Sequence, residues 1–228
     1  MTDTRTNDPV AAAIALAPQI KAAKDEIQAQ STLPNSLVKA MSEANLFQLF
    51  VPRSIGGPET DPITAFLAVE ELSKVDGSVG WCSFVASAIS IYSAWLPTDV
   101  GRDMFDQPLD IRAAGSFRPT ADARPLDGGY LIGGRWNYVS GSDHANWLVL
   151  NCNIVGDNGP VFDSQGGPVT RVMIVPRSVA IVEKTWHTLG MRGTGSNDVV
   201  IEEAYVPNEH TCLLYEAAAT DGPLYEPR

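Results

Sequence analysis

The hydrophobic pattern of the chain changes its period near Leu109. Before that residue, apolar side chains recur with the spacing of amphipathic helices, whereas after it short runs rich in Val, Ile, Trp and Tyr are separated by Gly, Asp and Pro turns. This order predicts an α+β protein with an N-terminal α-helical domain over residues 1–108 and a β-barrel domain over residues 109–212. Residues 213–228 are interpreted as a tail or as the start of a further helical domain.

Helix signals are clearest at Asp61-Pro62, where an acidic cap precedes a proline at the first helical position. The segment Ser78 to Leu96 is nearly uncharged and apolar all round, which predicts a buried helix. The predicted helices are Pro9 to Gln30, a short helix from Asn35 through Ala44, one beginning at Pro62, Ser78 to Leu96, and Thr98 to Phe105.

Strand signals fill the second part of the chain. Turns are predicted at Asp127-Gly128-Gly129 and over Gly156 to Gly159, because Gly, Asp and Asn accept the backbone angles of tight hairpins. The predicted strands are Ile111 to Phe117, Tyr130 to Ile132, Arg135 to Ser140, Trp147 to Asn153, Val169 to Val175, Val179 to Glu183 and Asp198 to Ala204.

Composition narrows the possible partners. The formal net charge is -11, whereas proteins that bind nucleic acids need a basic surface. No apolar run of the sequence is long enough to span a bilayer. Neither nucleic acid nor a membrane is therefore expected as a partner. The 3 cysteines are scattered, which favours reduced, buried thiols and a cytoplasmic protein.

Several kinds of chemistry lack their motifs. The 3 histidines lie on separate segments and no Cys-x-x-Cys occurs, so no metal site is expected. No Gly-x-Ser-x-Gly elbow supports a hydrolase. The glycines between Gly190 and Gly195 precede a predicted strand, whereas a dinucleotide-binding loop precedes a helix.

Two segments with aromatic neighbours remain as candidates for a site: residues 128–147 and 186–196. Tyr138 and Ser140 have the same parity on a predicted strand and are expected on one face, with the Ser116 hydroxyl beside them. An aromatic wall, a hydroxyl and strand-end backbone suit the flat ring of a flavin. In the alternative interpretation, Trp136, Tyr138 and Trp147 are barrel core and Ser140-Gly141 is a turn.

The order of short motifs along residues 9 to 212 resembles the acyl-CoA dehydrogenase superfamily. More narrowly, it is similar to the oxygenase components of two-component flavin monooxygenases, such as that of p-hydroxyphenylacetate hydroxylase. The motifs that carry the resemblance, together with the two candidate segments, are Leu33-Pro34, Leu46-Phe47, Val51-Pro52, Gly56-Gly57, Glu70-Glu-Leu-Ser73, Asp76-Gly-Ser78 and Gly80-Trp81.

Two departures from acyl-CoA dehydrogenases favour the monooxygenase branch. The dehydrogenases carry an acidic Thr-Glu loop after the first strand of this domain, but here Phe117 stands where the acid would be. Their Trp-Ile-Thr flavin contact corresponds to Tyr138-Val139-Ser140. The patterns Ser116-x-x-Pro119 and Trp136-x-x-x-Ser140-Gly141 are similar to those of the monooxygenases.

The resemblance implies roles for individual residues. Ser140 would be the catalytic hydroxyl that hydrogen-bonds flavin N5, and Trp81 and Ser90 would line the substrate pocket. The implied cofactor is FMN or FAD, reduced by a separate flavin reductase, and the other partners are O2 and a small, aromatic substrate. The implied flavin-binding residues are Ser116, Phe117, Tyr138, Val139 and Ser140.

The resemblance also implies a C-terminal four-helix bundle, which supplies the catalytic base and drives oligomer formation in the family and is missing from this chain. The expected protein is then a homo-oligomer or one part awaiting its C-terminal half. Two alternatives remain open: an acyl-CoA dehydrogenase-like FAD oxidoreductase, and a non-catalytic shell that binds a partner.

Overall fold

The computed structural model describes residues 8–105, 109–213 and 222–225, and its first part is helical. Asp8, Asp61 and Asp76 each cap a helix, since their carboxylates accept backbone N–H groups two or three residues further on. The predicted start at Asp61-Pro62 is therefore confirmed. The helices are α1 (Pro9–Ala22), α2 (Lys24–Gln30), α3 (Asn35–Glu43), α4 (Pro62–Val75), α5 (Gly77–Ser90) and α6 (Thr98–Met104).

Two helices differ from the sequence-based expectation. The single helix predicted over Pro9 to Gln30 divides at Ala23, whose N–H is shared between the carbonyls of Gln19 and Ile20. The helix predicted from Ser78 continues only to Ser90, where α5 gives way to a 3₁₀ turn. Within the described residues, none of the helices has the length and apolarity needed to cross a bilayer.

The second part of the chain is a sheet whose neighbours run in the order β6-β7-β2-β1-β3-β5-β8. All of these pairs are antiparallel except β1 with β3, which is parallel. The strands are β1 (Ala113–Leu126), β2 (Gly129–Val139), β3 (Trp147–Gly156), β4 (Gly159–Pro160), β5 (Thr170–Pro176), β6 (Ile181–Glu183), β7 (Asn197–Pro207) and β8 (Thr211–Cys212).

The predicted order of a helical part followed by a sheet part is confirmed, but the predicted barrel is wrong. Closure would require the two edge strands to pair, and across the described residues β6 and β8 are opposite edges of an open sheet. Both edges are short, β6 with 3 residues and β8 with 2. The predicted domain boundaries stay a prediction, and most of the tail beyond residue 213 lies outside the described residues.

Glycines in β2 mark an irregularity rather than the break predicted between two strands. The strand runs through Gly133 and Gly134, with a register shift between Ile132 and Gly134 and a φ of +143° at Gly134. Such a bulge bends a strand without ending it. The predicted hairpin turn at Asp127-Gly128 is confirmed, since β1 and β2 flank these residues.

A short 3₁₀ turn, Arg192–Thr194, connects the sheet part to the helices. The Arg192 Nε atom donates to the carbonyl of Gln28 at 3.0 Å. A Cβ on Gly193 would lie 2.3 Å from the Ile27 side chain and 2.9 Å from that of Ser78, so this backbone packs directly between α2 and α5. The turn thereby places the start of β7 against α5, where the candidate site lies.

Candidate functional site

The end of β2 carries a strained backbone. Tyr138 has a φ of +59°, and left-handed angles are outliers for bulky residues, which the surrounding structure must impose. The register between β2 and β7 shifts between Trp136 and Val139. Because of these irregularities the parity argument fails: the Tyr138 side chain is 70% exposed, whereas Ser140 is only 8% exposed.

The Ser140 hydroxyl is held by two other elements. The indole Nε1 of Trp81, on α5, donates to Ser140 Oγ at 3.0 Å. The Oγ atom of Ser196, the residue immediately before β7, lies 2.8 Å from Ser140 Oγ. Trp81 is itself 42% exposed. Hence a largely buried hydroxyl lies at the edge of a partly exposed aromatic ring, and the two together combine stacking area with a hydrogen-bonding group.

Two hydroxyls beyond Ser140 continue this contact. Ser196 Oγ lies 2.7 Å from Thr194 Oγ1, which reaches the carbonyl of Met191 at 2.9 Å. Sequence reasoning singled out residues 186–196 but gave Thr194 and Ser196 no role. The two hydroxyls flank Gly195, and this spacing was the available signal. The contact of Ser196 with Ser140 joins residues 56 apart in sequence, so a local pattern could not predict it.

The aromatic surface around the site extends along α4 and α5. Trp81 lies 5.7 Å from Phe84, and Phe84 lies 6.0 Å from Phe66, measured between ring centroids. Across the β2 end, the rings of Tyr138 and Trp186 meet edge to face at 6.3 Å. Most of α5 is buried, as its uniform apolarity predicts, and the stripe that carries Trp81 and Phe84 is accessible.

Ser116 and Phe117 lie on β1, which runs beside β2. The pairing of β1 with β3 shifts between Ser116 and Ala121, and Asn151 Nδ2 donates to the Phe117 carbonyl at 3.1 Å. The exposed Phe117 ring lies 5.1 Å from that of Tyr92, which follows α5 in sequence. β1 thus offers a second aromatic residue on the side of the sheet that α5 approaches.

Two of the predicted site residues have no side chain directed to an open surface. Ser90 is 2% exposed and its hydroxyl donates to the carbonyl of Ser87 at 2.8 Å, within α5. Val139 is fully buried in the sheet core, so only its main chain is suited to contact a ligand. The structure thus brings Trp81 and Ser140 into contact, places the exposed Tyr138 ring against Trp186, and leaves Ser90 apart.

His144, four residues after Ser140, packs against the helical part of the chain. Its ring lies 5.4 Å from that of Phe47, and its buried Nδ1 has no hydrogen-bond partner among the described residues. Burial lowers the pKa of His144 to about 4, with Arg112 adding to the shift and Asp143 opposing it. The imidazole is therefore neutral in the folded protein at physiological pH.

This low pKa predicts a loss of stability in acid. Above pH 6.5, the ordinary value, the imidazole is neutral in both states and contributes nothing, whereas between pH 6.5 and about 4 only the unfolded state binds the proton. We expect His144 to lower the free energy of unfolding by up to about 3 kcal/mol across that window. Urea unfolding of the wild type and of His144→Gln at pH 7 and pH 4.5 isolates this contribution from that of the carboxylates; equal losses in both proteins would refute it.

The three cysteines are buried, as predicted. Burial raises the pKa of Cys82 strongly and that of Cys152 to about 12, so neither thiol forms a nucleophilic thiolate near neutral pH. In the described part of the chain, no group of three or more His, Cys, Asp or Glu side chains converges as a metal site would require. The chemistry of the site thus rests on neutral hydroxyls, an indole N–H and aromatic rings.

Comparison with known proteins gives this arrangement a context. Residues 11–96 match the family model of the acyl-CoA dehydrogenase N-terminal domain. The oxygenase subunit HsaA of a flavin-dependent monooxygenase from Rhodococcus jostii is 32% identical over 204 residues, which are 89% of this chain and 51% of the relative. Indole-3-acetate monooxygenase from Pseudomonas putida is 32% identical over 201 residues, 88% of this chain and 49% of the relative.

A solved structure extends the match to three dimensions. XiaF from Streptomyces sp., in complex with FADH2 and glycerol, superposes with a TM-score of 0.81 at 28% identity, covering 90% of this chain and 50% of that one. The fold described above is therefore shared with about half of that protein. The chain spans about half the length of the curated relatives it matches.

Proposed function

The chain belongs to the acyl-CoA dehydrogenase superfamily, on the branch of the two-component flavin monooxygenases, and on that premise we propose that it is the flavin-binding part of such an oxygenase. The observation that carries the proposal is the Ser140 hydroxyl, which is largely buried and accepts a hydrogen bond from the Nε1–H of the partly exposed Trp81. The FADH2 complex of a structural neighbour and the name "oxygenase subunit" of a relative support the same class of cofactor and of enzyme.

The residues at the site fit a reduced flavin. The flavin ring is flat and largely apolar, and the exposed rings of Trp81 and Phe117 offer it apolar contact area on the side where α5 approaches the sheet, with the exposed Tyr138 ring at the end of β2. Its N5–H and the polar edge of its pyrimidine ring need neutral hydrogen-bond partners, which Ser140 and Ser116 provide. We assign flavin binding to residues 109–212, with Trp81 on residues 1–108 completing the wall.

When bound, a reduced flavin supplies the electrons that activate O2 for insertion of one oxygen atom into a substrate. The contribution of this chain is to hold the N5 proton at Ser140 Oγ and to keep water from it, because N5 loses its proton more easily when solvent reaches it. Phe117 serves the second task where the dehydrogenases place an acidic loop. The proposed substrate is a small aromatic compound, which would enter the site on the side of Trp81.

A separate flavin reductase is the proposed partner, because one relative is named as the oxygenase subunit of a flavin-dependent monooxygenase and another as the oxygenase component of a resorcinol hydroxylase. The proposed flavin is FMN or FAD, since structural neighbours are in complex with FADH2 or with FMN. The burial of Ser90 and the donation of its hydroxyl to the Ser87 carbonyl argue against its predicted role in the substrate pocket.

The function is tested by supplying the protein with a flavin reductase, NADH, FMN or FAD, and a panel of phenols under ¹⁸O2. We expect a hydroxylated product that contains one ¹⁸O atom, and Ser140→Ala to yield less product and more hydrogen peroxide per NADH. A dehydrogenase would instead hold oxidised FAD that loses its yellow colour on addition of an acyl-CoA. A protein that binds no flavin in either redox state would contradict both enzymes and favour a partner-binding shell.

A further inference from the structure

The hydroxyls of Thr194, Ser196 and Ser140 form a continuous chain that ends at the candidate flavin site. Successive oxygen atoms are 2.7 Å and 2.8 Å apart. The chain begins at the Met191 carbonyl, 2.9 Å from Thr194 Oγ1, and Ser140 also receives the Trp81 Nε1–H at 3.0 Å. Thr194 and Ser196 are buried, so these bonds are shielded from exchange with water.

The direction of the protons follows from counting donors. A hydroxyl has one proton and two lone pairs, and a carbonyl only accepts. If Thr194 donates to Met191, then Ser196 must donate to Thr194, and Ser140 must donate to Ser196. Every hydroxyl proton is then used inside the protein, and Ser140 Oγ, which already accepts from Trp81, presents one remaining lone pair outward.

The reverse direction is less favourable. Thr194 would donate to Ser196 and Ser196 to Ser140, which would break the bond from Thr194 to Met191 and turn the Ser140 proton toward the ligand. That proton is satisfied only when the ligand carries an acceptor. The direction in which Ser140 donates to Ser196 is therefore more stable whenever the ligand presents an N–H group to Ser140. The reverse direction loses one hydrogen bond inside the protein.

The frame around the chain keeps the Met191 carbonyl in place. Met191 has a φ of +55°, and its carbonyl also accepts the Trp186 Nε1–H at 3.0 Å and the Thr194 backbone N–H at 3.2 Å. Gly193 allows no side chain because it packs against α2 and α5. The terminal acceptor of the chain thus cannot turn away without moving the 3₁₀ turn at Arg192–Thr194.

We propose that Thr194 and Ser196 are positioning residues that make Ser140 a hydrogen-bond acceptor toward its ligand, and so select the reduced flavin over the oxidised one. This inference rests on the proposed function. Reduced flavin carries N5–H, which needs an acceptor, whereas N5 of oxidised flavin is itself an acceptor. The site would then bind the redox form that a reductase delivers. The selection arises from the direction of the hydrogen bonds along the three hydroxyls and does not depend on the shape of the site.

The test compares dissociation constants for oxidised and reduced FMN, measured by anaerobic fluorescence titration of the same protein. Thr194→Val preserves shape but removes the hydroxyl that anchors the chain, and Ser196→Ala removes its middle member. In both variants the Ser140 proton is free to point outward, so the ratio of the oxidised to the reduced constant should fall about tenfold, the effect of roughly one hydrogen bond. Thr194→Ser, which keeps the hydroxyl, should retain the wild-type ratio.

Ser142→Ala is the matched control, since Ser142 is equally buried on the neighbouring turn but lies outside the chain of hydroxyls. If Thr194→Val and Ser196→Ala weaken both redox forms by the same factor, the residues are merely structural and the inference is wrong while the flavin site stands. If the wild type binds neither form, the proposed function fails and the inference with it. Circular dichroism of each variant separates either result from a loss of folding.

Discussion

Replacing Ser140 by alanine should weaken the binding of reduced flavin by about tenfold to a hundredfold, the effect of leaving a buried N–H without its acceptor. The hydroxyl is the point where α5, β2 and the start of β7 meet, through its contacts with Trp81 and Ser196. Oxidised flavin should lose less, because its N5 carries no proton to be accepted. Anaerobic titration with reduced FMN and FAD measures the change.

Ser83→Ala provides the control for this substitution. Ser83 is also buried, but its hydroxyl donates to the Leu46 carbonyl inside the helical part, away from the site. It should reduce stability without changing flavin affinity in the folded protein. Should Ser140→Ala bind reduced flavin as tightly as the wild type, Ser140 would not be the N5 partner and the assignment of the site would have to move to another residue.

Replacing Trp136 by alanine should lower the free energy of unfolding by about 3–5 kcal/mol, the usual cost of removing a fully buried aromatic side chain. Trp136 is 0% exposed in the core of the sheet, and its Nε1–H donates to the Asn151 carbonyl at 2.9 Å across to β3. The substitution would leave both a cavity and an unpaired carbonyl. It lies in the middle of β2, four residues before the Ser140 hydroxyl that this strand positions.

Trp136→Phe separates the two contributions, since it keeps most of the buried volume and removes only the indole N–H. We expect about 1–3 kcal/mol for this variant, and less than about 0.5 kcal/mol for Leu126→Ala, an exposed residue at the end of β1. Urea denaturation gives all three values. If Trp136→Ala lowered the free energy of unfolding by no more than Leu126→Ala does, the sheet core would not be packed around Trp136.

Local sequence signals predicted the elements well where a local cause exists. Asp61 and Pro62 define the start of α4 because an acidic cap and a proline act within one turn. Asp127-Gly128 defines the β1–β2 hairpin for a similar reason. Barrel closure failed as a prediction because it depends on whether the two edge strands meet, and nothing in the pattern of β6 or β8 reports that.

The site was predictable in part. Resemblance of motifs identified Ser140 and Trp81, whose side chains are hydrogen-bonded to each other. Parity could not foresee the positive φ of Tyr138, which places its side chain outward while Ser140 turns inward. Ser196 was missed because its role exists only through a contact between distant segments.

Direct binding of reduced flavin by the wild-type chain tests the account most immediately. Under anaerobic conditions, reduced FMN or FAD should bind more tightly than its oxidised form, and should quench the fluorescence of Trp81, whose ring adjoins Ser140. The comparison of wild type with Trp81→Phe identifies that signal. A folded protein with no affinity for either flavin in either redox state would contradict a flavin site at Ser140.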